Sequence, residues 1–460
     1  MTHFSLQFPL LKQDPSNSRY GRKRQVVAAI SQSRKTFYAV QRRDWEIATT
    51  KRELLTRPKT KAIMSIFRLN SQDRTSLAAF LRDMVQIPSP STQESIVAER
   101  IVAEMKRLGL RDVRLDRMGN VIGWIGPGHG PTLMLNSHMD TVRVSDPLAW
   151  NHDPFGAEIS DGLLYGIGAC DMKSGLAAML YGAKLLREAG VALNGDVVVA
   201  CVAQEEPCEG LGSRVLIEEE EIRPDWVVLG EPTNMDVCRG QRGRLEMRLV
   251  VHGRSAHAAS PDLGDNAIYT AARLVFGLEL LAGQLGNDDF LGPGTLAVTQ
   301  VASRASSRNA IPAHCELIID RRLTLGENET KALAEIQRVI AREGVQAEIE
   351  VTEYQATSHT GYACHAREFY PAWVMAEDHP LITSTVRAVR AQLKHRPRIN
   401  RWDFSTEGVY TAGVAGIPTV GFGPGDPRHA HTADEHVRLT DVYAAAEVYA
   451  RLAFELLGTE

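Results

Sequence analysis

The chain has 460 residues, with 52 Lys and Arg against 56 Asp and Glu, a formal net charge of −4. That total is uneven: positions 1–70 carry 15 basic and 4 acidic side chains, net +11, and the other 390 carry 37 and 52, net −15. With 44% hydrophobic residues and no apolar run near the ~18 of a membrane span, the composition is globular and excludes an integral membrane protein. The acidic body argues against nucleic acid as the main partner. A chain of this length divides into more than one core, because single cores stop growing near roughly 250–300 residues.

The first 65 or so residues lack sustained periodicity and are rich in Arg, Lys, Gln and Ser. Segment 1–70 reads as a basic, disordered extension. It has the balance of an organelle transit peptide, or of translation from a start upstream of Met64. From Ser71 the pattern is ordered. Residues 73–86 have apolar positions at helical spacing and stop before Pro88 and Pro90; Ser91 with Glu94 has a capping-box pattern for a second helix that Gly109 closes. Strand-like runs follow at 120–125 and 131–137, then a helix at 174–188, a strand at 197–203, a helix near 212–220 and a strand at 225–230. Strands alternating with helices predict an α/β sheet with helices on both faces.

At about 243 the character changes. RLEMRLVVHG reads as a strand, AIYTAARLVFGLELLAG as a helix, GTLAVTQVAS and AHCELIIDRRL as strands, ETKALAEIQRVIARE as a helix and QAEIEVTEYQ as a strand. This β-α-β-β-α-β order is ferredoxin-like. The expected organisation is a larger domain (71–242 and 356–460) interrupted by a smaller one (243–355). A helix near 380–394, a strand at 417–423 and a helix at 440–457 complete the chain.

His, Asp and Glu fall where the apolar strands end. LMLNS runs into His138 and Asp140, VVVACVAQ into Glu205 and Glu206, and DWVVLG into Glu231; Asp171 stands in the turn GACDMKSG, and His429 and His431 follow the late strand. Open α/β sheets bind ligands beyond the carboxyl ends of their strands. Mixed imidazole and carboxylate donors suit a pair of divalent ions, zinc above all, with cobalt or manganese as substitutes. The six cysteines form no C-x-x-C pair, which predicts neither a disulfide framework nor a cysteine zinc site and fits a cytoplasmic protein. Cys170, beside Asp171, reads as a small packed thiol.

NSHMDTV, GACDMKSG, AQEEPCEGLG, LGEPTN, RSAHAASP and AHTADEH together resemble the dinuclear zinc hydrolase family of acetylornithine deacetylase, succinyl-diaminopimelate desuccinylase, aminoacylase and carboxypeptidase G. RGQRGRLE, IDRRLTLGE and DFSTEGV are similar to a selenium-metabolism-linked subfamily. The resemblance implies a zinc-peptidase-like mixed sheet with a ferredoxin-like lid and dimerisation domain, and two Zn²⁺ per subunit. By that likeness Asp171 bridges the ions, His138 and Glu231 complete one site, and Glu206 and His431 the other. Glu205 is then the general base and Asp140 orients His138. In the lid, His257 stabilises the oxyanion, often across a homodimer, Arg322 clamps a substrate carboxylate with Arg321 as its neighbouring rival, and Asn309 is a further contact. The implied reaction is hydrolysis of a C–N amide bond in a small N-acyl amino acid or dipeptide. Ureido or N-carbamoyl hydrolysis is the alternative with the same ions, and a non-catalytic metal-binding protein the alternative outside enzymes.

Overall fold

The computed structural model describes residues 66–459; the expected basic extension up to residue 65 lies outside them. Two helices open the described chain, α1 (Ser71–Gln86) and α2 (Ser95–Arg107). Asn70 caps α1, its side chain accepting from the Asp73 amide, and the helix ends two residues before Pro88. The start of α2 differs from expectation: it has no side-chain cap. Ser91 Oγ instead donates to Asp140 Oδ2 at 2.7 Å, and Glu94 is turned inward on partners far along the chain. Tertiary hydrogen bonds have taken both members of the capping box. Gly109, at φ +75°, does close α2.

The chain continues through β1 (Arg111–Leu115), β2 (Val121–Ile125), β3 (Thr132–His138), α3 (Ser174–Glu188), β4 (Asp196–Val202), β5 (Trp226–Leu229) and β6 (Val237–Gln241). The insertion then supplies β7 (Gly243–His252), α4 (Ala267–Ala282), β8 (Thr295–Ser303), β9 (His314–Leu323), α5 (Glu329–Glu343) and β10 (Ala347–Val351). After a hairpin of β11 (Glu353–Thr357) and β12 (Ala363–Arg367) come α6 (Pro380–Leu393), β13 (Ile399–Trp402), β14 (Thr419–Gly421) and α7 (Leu439–Leu457).

The large sheet has the order β1-β2-β4-β3-β5-β14-β6, with β13 also on β6. Its centre is parallel: β3 pairs in parallel with both β4 and β5, and β14 with β5. Every residue of β4 is buried, as a strand covered on both faces requires. Helices α3 and α7 pack together at Gly182, where a Cβ would come within 2.9 Å of the Ala446 carbonyl and the Tyr449 side chain.

The insertion forms its own antiparallel sheet, β8-β9-β7-β10, the order of a ferredoxin-like unit. Alternate residues of β7 and β9 are buried against α4 and α5, around Leu245, Leu249, Leu274, Leu317 and Ile336. QAEIEVTEYQ is two strands rather than one. The chain breaks at Thr352; β10 pairs with β7, whereas β11 pairs with β12 and packs its Tyr354 and Ala356 against Met118, Cys208 and Leu211. The hairpin thus straddles the expected seam at 355/356.

Candidate metal centre

Because β3, β4, β5 and β14 run parallel side by side, their carboxyl ends open on one edge of the sheet. His138 is the last residue of β3, Glu205 and Glu206 follow β4, and Glu231 follows β5. Asp171 sits in the distorted turn Ala169–Lys173 before α3, and His431 lies in the loop after β14 at φ +58°.

Two groups of donors form there: His138, Asp171 and Glu231, and Asp171, Glu206 and His431, each with its ligand atoms within 4.8 Å of one another. Asp171 belongs to both. His138 Nε2 lies 3.0 Å from Asp171 Oδ1 and 3.8 Å from Glu231 Oε1; His431 Nε2 lies 3.0 Å from Glu206 Oε2 and 3.5 Å from Asp171 Oδ2. Both sets offer two carboxylates and one imidazole, a donor set suited to a divalent cation. Glu205, 5% exposed, stands beside them with Oε2 3.9 Å from His138 Nε2, outside both triads.

The electrostatics fit the same occupant. Burial pushes the carboxyl of Glu205 well above its usual range, and the neighbouring charges of Glu231, Glu209 and Glu206 push the same way. Glu231 is raised well above its range by burial and by Asp171, and Glu206 by burial against the pull of His431. Burial would lower the imidazole of His138, yet Asp140 and Asp171 hold it well above its ordinary value. The hydrogen bond to Glu206 lifts His431 to about 9. Burial would also raise Asp171, but His138 and His431 hold it low. So many buried acidic groups converging on one point lack compensating charge, and cations supply it.

The supporting shell goes beyond what the sequence suggested. His138 Nδ1 meets the backbone carbonyl of Asp140 at 3.0 Å, while the Asp140 carboxylate is 3.6 Å away. That carboxylate instead accepts the amides of Glu205 at 3.1 Å and Glu206 at 3.2 Å. Glu435 accepts the amides of Cys170 and Asp171, fixing the residue common to both triads, and burial raises its own carboxyl to about 8. Asp434 ties the loop of Asn151 and His152 to the same segment. His429 turns away and packs its ring 4.1 Å from that of His436. Cys170 is a buried thiol pushed well up by burial and by Glu435.

The candidate residues of the insertion stand apart from this cluster in their hydrogen bonding. His257 is exposed, accepts from the Ala259 amide at Nδ1, and has Asn309 Nδ2 3.5 Å from its Nε2. Arg321 is 1% exposed and bonded to Glu327 and Glu335 inside the insertion. Arg322, on the opposite face of β9, keeps a quarter of its side chain exposed and is held by Asp320.

Such a fold, with paired metal triads at the carboxyl ends of a parallel sheet, defines a metal-dependent hydrolase. Residues 134–455 match the model of Peptidase family M20/M25/M40, and the chain belongs to that family: it is a metal-dependent amidohydrolase. It is 39% identical to the protein YgeY of Escherichia coli K12 over 388 residues, 84% of this chain and 96% of that one. It is 29% identical to succinyl-diaminopimelate desuccinylase 2 of Ruegeria sp. TM1040, over 82% of this chain and 94% of the other. Among solved structures, the M20 metallo-carboxypeptidase Sso-CP2 of Sulfolobus solfataricus superposes with a TM-score of 0.67 at 17% identity, over 84% of this chain and 99% of that one. The YXEP protein of Bacillus subtilis, a dinuclear metal-binding peptidase, does so at 0.60 and 17%, over 84% and 99%. The α/β fold expected from the sequence is that of these structures. No helix among the described residues is long and apolar enough to cross a membrane.

Proposed function

We propose that this chain hydrolyses the amide bond of a small N-acyl amino acid or dipeptide-like substrate bearing a free carboxylate, with two Zn²⁺ per subunit. Two triads sharing Asp171, with Glu205 beside them and in neither, are the observation that carries this reading. His138 and Glu231 would hold one ion and Glu206 and His431 the other, with Asp171 available to both. Ions bound there would supply Lewis-acid polarisation of the substrate carbonyl and lower the pKa of the attacking water. Glu205 takes the proton of the attacking water and passes it to the departing amine. His257 steadies the developing oxyanion, and Asn309 is a further substrate contact. Arg322 rather than Arg321 meets the substrate carboxylate, because Arg321 is enclosed by Glu327 and Glu335. The desuccinylase relative supports an N-acyl amino acid as substrate. Six buried, unpaired cysteines fit a cytoplasmic setting.

The test is metal analysis together with a hydrolysis panel of N-acyl amino acids, dipeptides and N-carbamoyl amino acids. Two cations per chain and turnover of an amide are expected. Turnover of N-carbamoyl compounds alone would move the reading to ureido bonds; bound metal with no turnover of any member would overturn it.

The partner of the lid is a second copy of this chain. Strand β8 is an open edge of nine residues, mostly exposed, with Val301 62% exposed. Helix α4 beside it presents Tyr269 and Phe276, 68% and 61% exposed. Such an edge is a template for another strand. Light scattering should give twice the chain mass. Val301→Pro with Phe276→Glu should give a monomer of reduced turnover, since His257 then loses the neighbouring site it serves.

A further inference from the structure

The turn that carries Glu205 and Glu206 is held by side chains brought from elsewhere. Four consecutive amides donate to them: Ala203 to Asn120 Oδ1 at 2.9 Å, Gln204 to Glu94 Oε1 at 3.2 Å, and Glu205 and Glu206 to the two oxygens of Asp140. Gln204 is the pivot. Its φ of +58° lies in the left-handed region that residues with a Cβ occupy only when their surroundings compel it. Its side chain is wholly buried and tethered at both ends. Tyr354 Oη donates to its carbonyl at 2.7 Å, and its amide nitrogen donates to Cys364 Sγ at 3.4 Å.

Both tethers come from the hairpin β11–β12, one from each strand. The hairpin's tip reaches the same turn by a second route. His359 Nδ1 lies 3.1 Å from Glu94 Oε2, the second oxygen of the carboxylate that receives the Gln204 amide. The ring of His359 fits over Gly119, where a Cβ would come within 2.3 Å of it, and Thr360 Oγ1 fastens the tip to the Arg117 carbonyl at 2.6 Å.

We propose that the hairpin β11–β12 braces the Gln204–Glu206 turn, and that Gln204, Tyr354 and Glu94 are positioning residues for the base Glu205 and the ligand Glu206. The proposal rests on the roles given to those two carboxylates above. Rotation about the Gln204 backbone swings both carboxylates together, so the tether sets the aim of the base and the bite of the ligand in one act. Placement within about 0.5 Å is what such a pair requires.

Two variants test this in the metal-loaded full chain. Tyr354→Phe removes one oxygen and keeps the ring's packing. Gln204→Gly accepts the positive φ freely and removes the tether. Tyr362→Phe is the control: it removes a bond from the same hairpin to Glu219 and none to the turn. For both test variants kcat should fall at least tenfold with KM within twofold, and two cations should stay bound. The visible absorption bands of the cobalt-loaded protein, which read the Glu206 carboxylate, should change in position or intensity. Wild-type kcat and cobalt spectra in both variants would overturn the proposal. So would Tyr362→Phe reproducing their effects, because the hairpin would then contribute stability alone. If Gln204→Gly does not fold, Tyr354→Phe decides. If the unaltered protein turns over nothing on the panel, the catalytic reading fails while the cobalt spectra still test the brace.

Discussion

Glu205→Gln should bind two cations like the unaltered chain and lose roughly 10²–10⁴-fold in kcat, the usual worth of a general acid–base group. The substitution keeps the volume and removes only the ability to take a proton. Glu205 is in neither donor triad, so metal content is expected to hold. Its backbone amide still donates to Asp140, so the turn is expected to hold as well. The raised carboxyl of Glu205 belongs to the metal-free chain, where burial and Glu231, Glu209 and Glu206 all favour the protonated form. Cations at the triads would oppose that repulsion and favour the deprotonated form that a base requires. Metal content by mass spectrometry and steady-state kinetics on the same preparation check the result. Turnover within tenfold of the unaltered chain would move the base to another residue.

How far the sequence shows this centre depends on which link is asked about. His138, Glu206 and Glu231 each follow an apolar run, and such runs are legible because β4 and its neighbours are buried on both faces; Asp171, in a turn, has no such marker. That the runs lie side by side in parallel is not, since β3 meets β4 and β5 over long connections. His429 and His431 are equal on spacing, and the likeness of AHTADEH to the family pattern selects His431; in three dimensions His431 meets Glu206, while the ring of His429 lies tilted against that of His436. Ser91 and Glu94 misled for a related reason. Their capping-box spacing is real, but partners at Asp140 and Gln204 compete for the same atoms, and no local pattern records them. The strand β1 (RDVRL) carries no buried residue and so no hydrophobic alternation to read. The break at Thr352 is marked only by a change of phase: apolar positions fall at 347, 349 and 351 before it and at 354 and 356 after it, a one-residue slip that is easily read as one continuous strand.

Stripping the metals should make the fold pH-sensitive in a direction set by the cluster. In the metal-free chain Glu205, Glu206 and Glu231 are raised, Glu435 to about 8, and His138 and His431 are raised too, the latter to about 9. A group whose folded pKa exceeds its unfolded one binds protons more tightly in the fold. Its contribution is complete below the unfolded pKa and is lost as pH rises through the folded value. Six groups act in this sense, and only Asp171 among the ligands, held low by His138 and His431, acts in the other. The stripped chain should therefore melt at a lower temperature at about pH 8.5 than at about pH 5.5, an interval that lies above the ordinary carboxylate range and spans the imidazole one. Added zinc should reverse the trend, because ions bind the deprotonated ligands and displace the protons, and the gain should grow with pH. At about a hundredfold excess over Kd each ion adds about 2.7 kcal/mol. Asp171→Ala should remove that gain from both sites at once, since Asp171 alone belongs to both triads. Glu231→Ala should remove it from one. Thermal melts of the three proteins, stripped and zinc-loaded at both pH values, separate these outcomes; an Asp171→Ala chain that still gains the full two-ion stabilisation would show that Asp171 is not the shared ligand.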